Sequence, residues 1–148
     1  MIAHRLSSPK YAQTLDGEGA KVNSGRWNFR GHPLVYCSES RAMCVLEILA
    51  RSQEQDIQKK SMVTLELPED SVCDCPLPLP DGWDCHPFGI ATQEIGRQFI
   101  AEKQHLALRV PSSLVAGDFN IVINPMHPSI SKVKIIDVVD FEFGPRLV

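Results

Sequence analysis

Gly25-Arg26-Trp27-Asn28-Phe29-Arg30-Gly31-His32-Pro33-Leu34-Val35-Tyr36-Cys37-Ser38-Glu39-Ser40-Arg41-Ala42-Met43-Cys44-Val45-Leu46-Glu47-Ile48-Leu49 is the stretch on which the reading of this chain turns. Gly25–Phe29 reads as a short strand and Gly31-His32-Pro33 as a turn. Leu34–Ser38, rich in β-branched and aromatic residues, reads as a second strand. Ser40 is a good helix N-cap. Beyond it Ala42, Val45, Leu46 and Leu49 fall at i, i+3, i+4 and i+7, which predicts a helix to about Gln53 buried along that stripe.

The same reading extends outward in both directions. Ile2–Leu6 reads as a strand and Ser7–Asn23 as a loop. Ser61–Leu67, with Met62, Leu65 and Leu67 alternating, reads as a strand closed by Pro68. The proline-rich stretch 68–89 reads as irregular. A helix is expected at Ala91–Lys103, then strands at Leu106–Val110, Phe119–Ile123 and Val133–Val139. Strands with two inserted helices, without strict alternation, favour an α+β fold over a doubly wound sheet. The 148 residues suit one domain, 1–148, with the proline-rich stretch as a long loop.

Composition excludes several classes. With 43% hydrophobic and 22% charged residues the chain is that of an ordinary globule. Its net charge of −3 argues against direct DNA binding. No segment approaches the ~20 apolar residues of a membrane span, and MIAHRLSSPK lacks a signal peptide's apolar run, so a cytoplasmic location is expected. Yet residues 1–50 hold six basic and four acidic side chains, leaving −5 for the remainder, and a locally basic third can hold an anion. Five cysteines do not make a disulfide framework. Cys73-x-Cys75 with Cys85-His86 lacks the paired C-x(2–4)-C spacing of structural zinc, so no metal is expected and small loop and core fillers are the plainer reading.

Three residues look out of place. Glu47 is the one charge in Ala42–Ala50: a solvated stripe, or a carboxylate beside a cavity that needs a partner or a task. Arg26, between Gly25 and Trp27, is either a surface arginine on an edge or a bidentate grip for phosphate or carboxylate. Tyr36 is core, or a ring on which a planar ligand stacks. Around Val110-Pro111-Ser112-Ser113, Asn120 and Asn124-Pro125-Met126-His127-Pro128, turn chemistry explains most of the polar residues. No G-x-S-x-G elbow surrounds Ser112, and Gly17-x-Gly19 is no nucleotide fingerprint.

Taken in order, Gly17-Glu18-Gly19, Gly25-Arg26-Trp27-Asn28, Val35-Tyr36-Cys37-Ser38, Leu46-Glu47, Val110-Pro111-Ser112, Asn120, Asn124-Pro125-x-His127-Pro128 and Pro145-Arg146-Leu147 resemble the RES domain family across nearly the whole chain. Ser24 and Gly144 depart from the family pattern, where Gly and Asp are common. The resemblance implies a compact domain with a mixed, strongly twisted sheet and a few helices, similar to ADP-ribosyltransferase toxins. It implies a bacterial toxin of a type II toxin–antitoxin system, restrained by an Xre-type helix-turn-helix antitoxin and leaving room for a homodimer within that complex. It further implies NAD+ as substrate, cleaved at the nicotinamide–ribose bond by hydrolysis or phosphorolysis. The family's Arg, Tyr, Glu and Ser fall on Arg26, Tyr36, Glu47 and Ser112.

Bond cleavage at nicotinamide builds positive charge on the ribose, which a nearby carboxylate stabilises more than it stabilises the ground state. Glu47 is expected in that role, Arg26 at the diphosphate, Tyr36 against nicotinamide and Ser112 at a phosphate or amide. Two alternatives stand beside it: protein ADP-ribosylation from the same pocket, and a non-catalytic binding module.

Overall fold

The computed structural model describes residues 1–51 and 59–148. Seven strands run through it: β1 (Ile2–Ser7), β2 (Val35–Ser38), β3 (Lys60–Glu66), β4 (Val72–Asp74), β5 (Ala107–Pro111), β6 (Phe119–Ile123) and β7 (Lys134–Phe141). They form one mixed sheet in the order β4-β5-β6-β2-β1-β3-β7. Only β4–β5 is parallel; every other neighbour pair is antiparallel. The described helices are α1 (Glu18–Val22), α2 (Arg41–Arg51) and α3 (Ile90–Glu102). The end expected for the central helix, near Gln53, lies outside the described residues.

Strand periodicity divides the core in two. Ile121 and Ile123 join Val35, Cys37, Val63 and Leu65 in one apolar cluster. Val122, between them in sequence, joins Trp27, Leu34, Phe99, Ile100, Leu108 and Val110 in the other. A strand buried on both faces loses its alternation. Residues 61–65 of β3 are all buried, so the expected alternation of Met62 and Leu65 does not describe it.

Four local expectations are corrected. Gly25–Phe29 is not a strand but a turn closed by one bridge, Gly25↔Asn28. The Ser7–Asn23 loop contains a 3-10 turn at Pro9–Tyr11 and the short α1. The proline-rich stretch contributes β4, which pairs with β5. On α2 the buried residues are Met43, Cys44 and Ile48, while Ala42 and Leu46 are exposed, Leu46 by 39%. The apolar stripe Ala42-Val45-Leu46-Leu49 is real, but it is not the face that packs: Glu47 and Arg51 lie on the same side of the helix as the buried Cys44 and Ile48. Packing against β1 and β2 sets the buried face. Ser40 caps the helix as expected, its Oγ accepting the Met43 N–H at 3.1 Å.

Candidate active site

β1 and β2 share a single register pair, His4↔Ser38. Continued antiparallel pairing would set Arg5 opposite Cys37 and Leu6 opposite Tyr36. Instead those four residues line a cavity of about 60 Å³, together with Ser38, Cys44, Glu47, Ile48, Arg51 and Asn120. The sheet splits between its middle strand β2 and the next strand β1, and α2 lies over the split with Glu47, Ile48 and Arg51 at the cavity.

Glu47 is thus the carboxylate beside a cavity, and its partner is an amide. Asn120 Nδ2 donates to Glu47 Oε1 at 2.8 Å. Ser38 Oγ donates to Asn120 Oδ1 at 2.7 Å. Ser38 and Asn120 are directly opposite one another on β2 and β6, so the ladder fixes their separation. Positive charge comes from Arg5 on β1 and from Arg51, one helical turn after Glu47 on α2. Arg5 also donates to the Thr14 carbonyl at 2.7 Å. Sequence reasoning assigned no role to either arginine. The i, i+4 spacing of Glu47 and Arg51 was the available signal for one, whereas Arg5 needed the split sheet.

Tyr36 joins the cavity to the Gly25–Asn28 turn. Its ring lines the cavity. Its hydroxyl donates to Asn28 Oδ1 at 2.6 Å and accepts the Trp27 N–H at 3.1 Å. Burial pushes the phenol pKa up, opposed by that N–H and by the charges of Arg51 and Arg26, so the hydroxyl stays protonated and can donate. Asn28 is fully buried and saturated: Nδ2 donates to the carbonyls of Ala20, Phe29 and His32, and Oδ1 also accepts the Gly25 N–H. A side chain at Gly25 would collide with the Tyr36 hydroxyl.

The turn is then held by α3. Thr92 Oγ1 donates to the Arg26 carbonyl at 2.7 Å, and Gln93 Nε2 donates to the carbonyls of Gly25 (3.1 Å) and Asn28 (2.9 Å). Gly96 lets the helix approach so closely that any β-carbon there would run into the Trp27 carbonyl. These bonds replace the ladder partners that a strand at 25–29 would have had. Sequence reasoning missed Asn28, Thr92, Gln93 and Gly96 as a unit, because their contacts span more than sixty residues.

Arg26 does not line the Glu47 cavity. Its Nη1 donates to the carbonyls of Trp83 (2.7 Å) and Cys85 (2.9 Å), and its guanidinium lies 5.9 Å from the Phe88 ring centroid. It ties the Gly25–Asn28 turn to the proline-rich loop. Ser112 does not line the cavity either: it is buried, and its Oγ accepts the N–H groups of Leu114 (3.1 Å) and Val115 (3.2 Å), while its hydroxyl faces Met43 Sδ of α2. Asn124 is a buried turn brace, bonded to the Ile100 carbonyl and the Met126 N–H. Among the described residues no three His, Cys, Asp or Glu side chains converge as for a metal. Burial raises the thiol pKa of Cys37 to about 12 and that of Cys44 to about 11, so both cavity thiols are neutral near pH 7 and are not nucleophiles. No described helix is long and apolar enough to cross a membrane.

This arrangement has relatives. A protein from Pseudomonas putida named Toxin Res is 35% identical over 99% of both chains. A protein from Sphingobium sp. named Prs ADP-ribosylating toxin is 32% identical over 93% of this chain and 88% of its own. Among solved structures, the M. tuberculosis MbcT-MbcA toxin-antitoxin complex superposes with a TM-score of 0.79 at 20% identity, covering 95% of this chain and 84% of that one, which establishes likeness of fold. The RES domain family model matches residues 2–144. With that match across almost its whole length, the chain belongs to the RES domain family.

Proposed function

We propose that this chain is a toxin that depletes NAD+ by cleaving its nicotinamide–ribose bond, by hydrolysis or phosphorolysis. The observation that carries the reading is the Glu47 carboxylate, hydrogen-bonded by Asn120 and set in a cavity shared with the Tyr36 ring, Arg5 and Arg51. As the bond to nicotinamide lengthens, the ribose acquires oxocarbenium character, and a fixed carboxylate in a partly dry site favours that charge. Nicotinamide leaves as a neutral molecule, so no strong general acid is needed. Tyr36 offers a flat wall to nicotinamide. Arg5 and Arg51 are placed at the cavity to meet diphosphate charge.

The cavity, about 60 Å³, is far smaller than the roughly 300 Å³ of an ordinary small-molecule pocket, so it takes only the edge of the ribose–nicotinamide end that meets Glu47 and Tyr36, and most of the dinucleotide lies outside it. Arg26 is assigned to the diphosphate as well: its charge reaches Tyr36, and a bound phosphate can take over the bonds it now gives to two loop carbonyls. Ser112 packs its turn against Met43 of α2, the helix that carries Glu47. The reaction is assigned to the cytoplasm, with an Xre-type antitoxin as the restraining partner. The presence of an antitoxin partner, though not its type, is in keeping with the toxin–antitoxin assembly of the structural relative.

The test is release of nicotinamide from NAD+ by purified protein, with products weighed by mass spectrometry with and without inorganic phosphate. Glu47→Ala should lower release at least about 100-fold, the loss of one charge-stabilising group. Full activity in that variant sinks the mechanism. The name of the Sphingobium relative favours a second reading, transfer of ADP-ribose to a protein side chain. Label from NAD+ on a protein, not in free ADP-ribose or its phosphate, would select it. If NAD+ neither binds nor reacts at millimolar concentration, the domain is a non-catalytic binding module. Expression alone should arrest growth, and a co-expressed antitoxin should relieve it.

A further inference from the structure

We infer that Asn120, oriented by Ser38, is a positioning residue that clamps Glu47 in the reactive geometry; this rests on the NAD+-cleavage reading above. The case is one of donors and acceptors. An ionised carboxylate only accepts hydrogen bonds, so the Asn120 atom 2.8 Å from Glu47 Oε1 must be the amide nitrogen. That leaves the amide oxygen facing Ser38, which is 2.7 Å away and must donate its hydroxyl proton. The direction of both bonds is therefore set by the charge on Glu47. An amide turned over would present oxygen to carboxylate; with the nitrogen on Glu47, the Ser38 hydroxyl donates to the oxygen and ties down the amide's other end.

The scaffold of the clamp is rigid. Ser38 and Asn120 are opposed on β2 and β6, flanked by the pairs Cys37↔Ile121, Tyr36↔Val122 and Val35↔Ile123. Ser38 is buried. Glu47, by contrast, has two flexible methylenes on a helix surface, and Asn120 is its hydrogen-bond partner among the described residues. Fixing that carboxylate before substrate arrives is what pre-organisation requires, and a misplacement of about 1 Å can cost roughly 100-fold in rate.

The test has two arms. The first follows NAD+ cleavage from pH 5 to 9 in wild type, Asn120→Ala, Ser38→Ala and Asn120→Asp, with thermal unfolding as the folding control. Asn120→Ala should lower kcat by about 10- to 100-fold with KM changed less than about threefold. Ser38→Ala should lower kcat by about tenfold. Asn120→Asp should shift the acid limb of the rate profile to higher pH, because two carboxylates at that distance share one proton. Wild-type kcat and profile in Asn120→Ala would overturn the inference.

The second arm needs no activity. In protein without NAD+, the side-chain NH2 resonances of Asn120 should shift in both Glu47→Ala and Ser38→Ala. Resonances unmoved by either change overturn the clamp. Failure of wild type to cleave NAD+, with the resonances shifting as stated, would instead remove the functional reading and leave the clamp standing.

Discussion

Glu47 and Arg26 belong to one sequence pattern, twenty-one residues apart, yet they sit in unlike surroundings. Glu47 has one amide partner among the described residues and opens on a cavity between separated strands. Arg26 is bonded to two loop carbonyls, and its turn is gripped from behind by Thr92, Gln93 and Gly96 of α3. One region opens on a cavity that a substrate can enter; the other is a turn held closed by hydrogen bonds from α3. Tyr36 belongs to both, its ring on the open side and its hydroxyl in the closed one. Residues grouped by a motif can therefore divide into chemistry and scaffold, with one side chain spanning the boundary.

The largest expected effect comes from breaking the closed side. Gly96→Ala places a methyl against the Trp27 carbonyl, where neither backbone can yield cheaply. It should cost about 3 kcal/mol, the upper end for overpacking, and lower Tm by roughly 10 °C in a scanning calorimeter. An unchanged Tm would mean the turn is not gripped as described. Breaking the open side should do the opposite: Glu47→Gln should lower nicotinamide release by about 100-fold or more while Tm stays within about 2 °C. A large fall in Tm there would place Glu47 among the structural residues.

Arg26 tests whether the division is strict. Arg26→Ala removes both anchors of the proline-rich loop, so limited proteolysis should cut within 76–89 faster than in wild type. Because the same guanidinium is assigned to the diphosphate, KM for NAD+ should also rise by about tenfold, about 1.4 kcal/mol. Faster proteolysis with unaltered KM would confine Arg26 to scaffold.

The smallest effect concerns His4, at the pair where β1 and β2 begin to part. His4 is buried with Nδ1 3.1 Å from Thr64 Oγ1; burial, then the charge of Arg41, holds its pKa below 6.5. Below pH 6.5 the unfolded chain takes up a proton that the folded chain refuses, so stability falls with pH until the folded value is passed. Denaturation midpoints from pH 7.5 to 5 should show that decline, and His4→Gln should flatten it. An identical slope in the variant would assign the decline to other groups.

Much of the fold and part of the site are legible in the amino-acid sequence. Ser40 announces the cap, Phe119–Ile123 announces β6 to the residue, and Glu47 stands out because a lone carboxylate in an apolar run demands an explanation. What stays hidden has one physical cause. Gly25–Phe29 has strand-like composition, but the carbonyls of Gly25, Arg26 and Asn28 find their donors on α3, and no local pattern reports a partner nearly seventy residues away. The phase of α2 stays hidden too: its apolar stripe points one way, but packing on β1 and β2 buries the side that carries Glu47 and Arg51 to the cavity.

Local sequence was therefore enough for an α+β chain with its motif residues in family order, because periodicity, caps and turn chemistry act over a few residues. Which of those residues meet was left to tertiary packing. The early end of the β1–β2 ladder opened the cavity, and cross-strand registry set Asn120 beside Glu47. Such contacts between distant segments depend on how the sheet pairs and splits, a property of the assembled fold and not of any stretch of chain.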